Sequence, residues 1–201
     1  MSFNLNKDQK IYVAGHTGLI GSAFIRYFKV NGFNNVITQS KSKLDLTSAE
    51  STNNFFKNNH PEVVILAAGK VGGILQNRDS PADFIIKNLS IQLNVFSAAQ
   101  EYHAKKLMFF GSSCMYPRDT KQPMKEDQLL SGKLEPTSQA YAISKYAGLQ
   151  MCKSINMQNK SVVFIPVIPN SVYGINDNFD LNNAHVLSSL ISRFHHAKEK
   201  N

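Results

Sequence analysis

The sequence predicts an α/β fold, a doubly wound parallel sheet with helices on both faces. Three observations carry that expectation. Short apolar runs at 11–14, 36–38, 63–67, 107–110 and 162–168 alternate with segments whose apolar residues recur at helical spacing. The first run passes directly into a glycine-rich segment, and that segment opens a helix. Strand and helix alternate to the end of the chain, which implies right-handed crossovers between parallel neighbours.

The run at 11–14 is short and wholly apolar, as a strand covered on both faces must be. Residues 15–21 follow it as Gly-His-Thr-Gly-Leu-Ile-Gly, with the glycines spaced Gly-x-x-Gly-x-x-Gly. Leu19, Ile20, Ala23, Phe24, Tyr27 and Phe28 then recur at helical spacing until Asn31-Gly32 stops the helix. Such glycines let the backbone turn tightly and approach a pyrophosphate, while the helix start offers unpaired N–H groups and a positive dipole end. The expectation is a dinucleotide site. The second run, 36–38, ends without the carboxylate that usually takes the ribose 2'-hydroxyl of NAD. Gln39, Ser40, Lys41, Ser42 and Lys43 stand there instead, hydroxyls and cations that suit a 2'-phosphate and favour NADP over NAD.

Thr47 is placed to cap a helix running through Lys57. Pro61 precedes the strand at 63–67, and the small residues of 67–73 let backbone pass close to a cofactor. Pro81 begins a long helix to about Tyr102, with one apolar stripe of Ile85, Leu89, Leu93 and Phe96 and another of Ile91, Val95, Ala98 and Tyr102. Two stripes imply two burial partners. One is the sheet; the other is either the same helix of a second copy or a neighbouring helix in the same chain. The strand at 107–110 delivers Gly111, Ser112, Ser113 and Cys114 to the crevice that the glycine segment faces, because ligands in open parallel sheets sit beyond the carboxyl ends of the strands. Pro136 starts the helix carrying Tyr141 and Lys145, and the strand at 162–168 leads into Pro169, Asn170 and Val172. A polar loop at 176–183 and a last helix with Val186, Leu187, Leu190, Ile191 and Phe194 follow. No internal repeat or low-complexity segment interrupts the chain.

With 201 residues the chain can bury one substantial core. Its 42% hydrophobic and 18% charged residues are ordinary for a globular protein and exclude disorder. The formal charge of +8 suits anionic partners, but the basic residues are scattered singly or in pairs, without interleaved aromatics, which argues against nucleic-acid binding. Two cysteines, Cys114 and Cys152, cannot build a disulfide framework or a zinc site, so the expectation is a reducing compartment and no metal. The first ten residues are polar, and no apolar stretch is long enough to span a bilayer, so a soluble cytoplasmic protein is expected.

Tyr141 and Lys145 lie four residues apart, on one face of their helix, so the ammonium can approach the phenol. A nearby cation favours phenolate, which makes tyrosine an acid/base near neutrality. Together with Ser112 and the glycine segment, this pair resembles the extended short-chain dehydrogenase/reductase superfamily and its Rossmann NAD(P)-binding fold. Within it, the strings AGHTGLIGSA (14–23), AAGKVGGI (67–74), PADFI (81–85), GSSCMYP (111–117), KQPMKEDQLL (121–130), LEPT (134–137), YAISK (141–145), DNF (177–179) and HV (185–186) resemble the GDP-L-fucose synthases. These are NADPH-dependent enzymes that epimerise GDP-4-keto-6-deoxy-D-mannose at C3 and C5 and reduce it at C4.

The resemblance implies roles for particular residues. Tyr141 would protonate the C4 oxygen, Lys145 would bind the nicotinamide ribose and lower the tyrosine pKa, and Ser112 would hydrogen-bond the keto oxygen. Cys114 and His185 match the acid/base pair that inverts the carbons beside the ketone. Cofactor contacts fall on Gly15, Thr17, Gly18, Leu19, Ile20, Gly21, Lys41, Asp45, Leu46, Ala68, Tyr141, Lys145, Pro169, Asn170 and Val172. Substrate contacts fall on Lys70, Ser113, Asn170, His185 and Arg193. A GDP-sugar is the implied partner, with a homodimer formed through the helices around 82–102 and 138–158. Residues 1–174 would form the NADP-binding domain and 175–201 only the beginning of a substrate domain, since family members continue past this point. Two other readings stay open: a non-catalytic nucleotide-binding or dimerisation module, and another nucleotide-sugar epimerase or dehydratase of the superfamily. His195 and His196 read as a solvated helix end, Cys152 as core, and His16 as part of a loop whose backbone shape matters more than its ring.

Overall fold

The sheet is built from β1 (Ile11–Ala14), β2 (Val36–Ile37), β3 (Val63–Leu66), β4 (Lys106–Phe110) and β5 (Val163–Val167), all parallel, in the order β2-β1-β3-β4-β5. The structure is a computed structural model that describes residues 3–180 and 184–199. Between strands run α1 (Leu19–Val30), α2 (Ala49–Asn59), α3 (Ile74–Asp79), α4 (Pro81–Glu101) and α5 (Gln139–Gln158), and α6 (Val186–Glu199) follows β5. The strand order reverses between β1 and β3, which is where an open sheet of this order parts to admit a ligand. The expected doubly wound α/β fold is therefore present.

Side chains alternate across the sheet and divide the core in two. Tyr12, Ala14, Val64, Leu66, Leu107, Phe109 and Phe164 face a cluster closed by Phe56 of α2, Val95, Phe96 and Ala99 of α4, and Cys152 and Ile155 of α5. Ile11, Val13, Val63 and Ile65 face the other way, where Phe28 of α1 covers them and Phe24 and Ile25 pack alongside. Over β4 and β5 this second layer thins, and Met108, Ile165 and Val167 are only half-buried. β5 is an edge strand, and its outer backbone groups are partly occupied. The Asn156 amide of α5 donates to the Phe164 carbonyl (2.7 Å) and accepts from its N–H (2.9 Å). Val163 donates inward to Lys105, and the Val167 carbonyl accepts inward from Gly111, so by alternation Pro166 faces outward, where it has no N–H to offer.

The structure corrects several sequence expectations. Ser48, not Thr47, caps α2: its hydroxyl accepts from the Ser51 N–H, while the Thr47 hydroxyl donates to Asp45. The short helix α3 was not anticipated, because Gly72 and Gly73 before it and Pro81 after it read as an uninterrupted loop. On α4 the buried stripe is Phe84, Asn88, Gln92, Val95, Phe96, Ala98 and Ala99, and Leu93, assigned to a core stripe, is 58% exposed. The two polar residues in that stripe hid it from a pattern of apolar spacing. Within the chain α4 packs on α5 and α2, so the neighbouring-helix alternative holds for its inner faces, while Ile86 and Leu93 stay outside. Part of the expected loop at 176–183 and the last two residues lie outside the described residues.

Candidate active site at the carboxyl ends of the strands

The glycine segment turns sharply at Gly15, whose φ is +79°, a conformation that side chains disfavour. A Cβ on Gly15 would lie 2.7 Å from the Ala68 nitrogen, and one on Gly21 would lie 2.1 Å from the Gly15 carbonyl oxygen. β1, the 67–69 segment and α1 therefore meet backbone to backbone. Gly18 is the N-cap of α1, with no side-chain cap and no acidic residue in the first turn, so the N–H groups around Leu19 and Ile20 remain available to an anion. Thr17 and Gly18 are exposed at this opening. Gly174, beyond β5, places a would-be Cβ 3.6 Å from Leu19, so the segment carrying Pro169, Asn170 and Val172 reaches the same helix start.

At the end of β2 the first acidic residue is Asp45, and it is engaged locally. It accepts from the Thr47 N–H (3.0 Å) and hydroxyl (2.8 Å), bonds that hold its carboxyl below the usual range, with Lys41 adding to the effect. Lys41 and Lys43 are exposed there, Ser40 and Ser42 share a hydrogen bond of 3.0 Å, and Leu46 is buried beneath.

α5 carries the reactive pair. Lys145 is only 5% exposed; its Nζ donates to the Phe110 carbonyl (2.9 Å), lies 5.1 Å from the Phe109 ring centroid and 5.7 Å from that of Tyr141. Burial disfavours the ammonium and pushes its pKa down to about 8. The Tyr141 phenol is pushed up to about 12, first by burial and next by the Cys114 thiol nearby, against a hydrogen bond with Ser112 that acts to lower it. The expectation that Lys145 depresses the phenol is thus not met here. Burial and the Cys114 thiol set the direction of the shift, which favours the protonated phenol. Ser112 also accepts from the Cys114 N–H (3.2 Å), so one hydroxyl ties together the loop after β4 and the phenol of α5.

Phe84, Asn88 and Phe109 complete the setting and were missed in the sequence. The Phe84 ring meets Tyr141 edge-on with centroids 6.0 Å apart, and the Lys70 ammonium lies 5.0 Å from its centre. The buried Asn88 amide donates to the Lys70 carbonyl (2.9 Å) and accepts from the Lys70 N–H (2.9 Å), fixing the segment that passes Lys145. A Cβ on Gly69 would lie 2.9 Å from Asn88 Oδ1 and 3.5 Å from Lys145 Nζ. The available signal was an asparagine flanked at helical spacing by Phe84 and Val95. Lys70 also pairs with Asp83 (3.3 Å) at the surface.

Not every expected residue converges. Ser113 and Asn170 line one cleft at the ends of β4 and β5. His185 and Arg193 are exposed on the segment of α6, and among the described residues neither side chain has a hydrogen bond or ion pair. Cys152 is core, and burial pushes its thiol up to about 12. Among the described residues no cluster of His, Cys, Asp and Glu is arranged for a metal, and no helix is long and apolar enough to cross a membrane.

Comparison with known proteins bears out the fold. The sequence pattern of the NAD dependent epimerase/dehydratase family matches residues 11–201. A putative GDP-L-fucose synthase 2 of Arabidopsis thaliana is 50% identical over 200 residues, and the GDP-L-fucose synthase of Escherichia coli is 42% identical over 193. These alignments cover 100% and 96% of this chain but 61% and 60% of those proteins, so the chain spans about three fifths of the length of these relatives. A GDP-mannoheptose C4 reductase of Campylobacter jejuni with NADP bound superimposes with a TM-score of 0.90 at 39% identity, over 97% of this chain and 57% of that one.

Proposed function

Because the chain belongs to the NAD dependent epimerase/dehydratase family, we propose that it is an NADPH-dependent oxidoreductase and epimerase that converts GDP-4-keto-6-deoxy-D-mannose to GDP-L-fucose. The observation that carries this reading is the Tyr141 phenol beside Ser112, with the buried Lys145 ammonium 5.7 Å from its ring centroid. The GDP-L-fucose synthases among its relatives supply the substrate.

The residues fit the cofactor. Gly15 and Gly21 leave the space that a Cβ would fill, the start of α1 offers its N–H groups to a pyrophosphate, and Lys41 and Lys43 stand where a 2'-phosphate needs cations. NADPH, when bound, supplies the hydride that reduces C4. A phenol that keeps its proton at neutral pH is a donor, so Tyr141 protonates the C4 oxygen as that oxygen gains charge. Ser112 hydrogen-bonds the same oxygen, and Lys145, with its pKa near 8, holds the ribose and stands ready to return a proton to the phenol. For the epimerisation, the ketone acidifies the adjacent C–H bonds. Cys114 and His185 serve as the acid/base pair, one removing a proton from one face of the carbon and the other returning a proton to the opposite face. Lys70, Ser113, Asn170 and Arg193 bind the sugar nucleotide in this reading. We assign the protein to the cytoplasm, as a homodimer through the outer faces of α4 and α5, where Ile86, Leu93 and Ile143 are exposed.

Steady-state NADPH oxidation with GDP-4-keto-6-deoxymannose tests the assignment. Turnover that yields GDP-L-fucose supports it, whereas tight NADPH binding without turnover favours the second reading, a nucleotide-binding module. The exposed His185, whose side chain makes no hydrogen bond among the described residues, is the observation that favours that second reading.

A further inference from the structure

A cleft of about 350 Å³ opens beyond the ends of β4 and β5. Ser113 and Asn170 were expected in it; Tyr116, Gln122 and Glu126 were not, and Pro166 supplies an apolar patch. This volume lies at the small end of ligand clefts, roughly 300–1,000 Å³, and suits one sugar ring better than a whole sugar nucleotide. The wall carrying Gln122 and Glu126 is held in place: the Thr120 hydroxyl donates to the Pro117 carbonyl (2.6 Å), and Gln128 Oε1 accepts from the Lys125 N–H (2.7 Å) at the start of the helical turn Glu126–Gln128.

Charge decides which end of a nucleotide sugar belongs there. Glu126 sets a carboxylate in the cleft wall with Asp127 next to it in sequence, and the Tyr116 phenol in the same cleft is pushed up first by burial and then by these two carboxylates. A diphosphate would meet repulsion at this wall. An uncharged ring bearing hydroxyls would not, because a carboxylate accepts hydrogen bonds from hydroxyl donors and an amide both donates and accepts.

We propose that this cleft seats the sugar ring of the nucleotide sugar, with Glu126 and Gln122 as specificity-determining residues that bond its hydroxyls, an assignment that rests on the function proposed above. The test compares GDP-mannose, which carries a hexose ring, with GDP, which lacks one, by calorimetric titration of the full chain and of Glu126→Gln and Gln122→Ala, with an NADPH titration as the control for folding. GDP-mannose affinity in Glu126→Gln should fall about tenfold, the loss expected for one charge-assisted hydrogen bond, with GDP affinity unchanged. If Glu126→Gln also loses NADPH binding, Gln122→Ala decides by the same comparison. Equal changes for the two ligands, or none, overturn the ring assignment while leaving the proposed function standing. A parent protein that binds NADPH but neither GDP nor GDP-mannose overturns both.

Discussion

Tyr141 and Lys145 show how burial moves two neighbouring groups in opposite directions. The phenol is pushed up to about 12 and the ammonium down to about 8, so burial shifts each group toward its neutral form. Replacing Tyr141 by Phe removes the only change in protonation that the reduction asks of the phenol; turnover should fall by about 10²–10⁴-fold, with NADPH affinity little altered in a fluorescence titration. Lys145 makes a statement about stability as well. Its folded pKa, about 8, lies below its unfolded value near 10.5, so between these pH values the unfolded chain carries the extra proton and stability rises with pH. Below pH 8 the full burden of burying the charge is present. Lys145→Met should therefore gain on the parent at pH 7, and that advantage should shrink by on the order of 2 kcal/mol by pH 10 in denaturant titrations. An advantage that is independent of pH would mean that the ammonium is not buried. The pairing of these two residues was legible in the sequence from their spacing, but the direction of the phenol shift was not, because it depends on what Phe84 and the loop after β4 exclude.

α4 and α5 meet at Gly148, and this contact sets how near the reactive helix lies to the sheet. A Cβ on Gly148 would lie 2.4 Å from Phe109 Cζ and 2.9 Å from Gln92 Oε1. Alanine gains about 1 kcal/mol in helix propensity over glycine, but overpacking against a buried ring costs about 1–3 kcal/mol. Phe109 is fully buried beneath Lys145 and has nowhere to go, so Gly148→Ala should lower the melting temperature and weaken NADPH binding together. Strands were legible because apolar runs flanked by glycine and proline leave few alternatives, and α1 and α5 because their stops and starts are marked. α3 was not, since six residues cannot display a period, and the inner stripe of α4 was not, since Asn88 and Gln92 break it. Asn88 has partners in the Lys70 backbone, whereas the Gln92 amide has none among the described residues, an observation for which the packing gives no account.

At the scale of the molecule, two sets of exposed apolar side chains stand out, Ile86, Leu93 and Ile143 on α4 and α5, and a second set on α6 and the segment before it. Leu187, Leu190 and Ile191 of α6 are well exposed and Phe194 is 71% so, with Tyr173 and Ile175 also exposed in the segment before it. Scattered apolar residues on a surface are ordinary, but a contiguous face is a site of association. Ile86→Lys combined with Leu93→Lys should abolish the proposed dimer in sedimentation velocity while leaving the melting temperature within about 2 °C, because exposed positions contribute little to stability. A dimer that survives these changes and disappears with Leu190→Lys and Phe194→Lys would place its contact on α6 instead. In the described sheet β5 is an edge, but its hydrogen-bonding groups are partly spoken for. Asn156 acts as a false neighbour to Phe164, and Pro166 has no hydrogen to lend. Along that rim an incoming strand would find its first handholds taken. Where crowded copies of this protein stick together, they should do so as amorphous clumps joined by greasy side chains, and not as fibrils that lengthen by backbone templating.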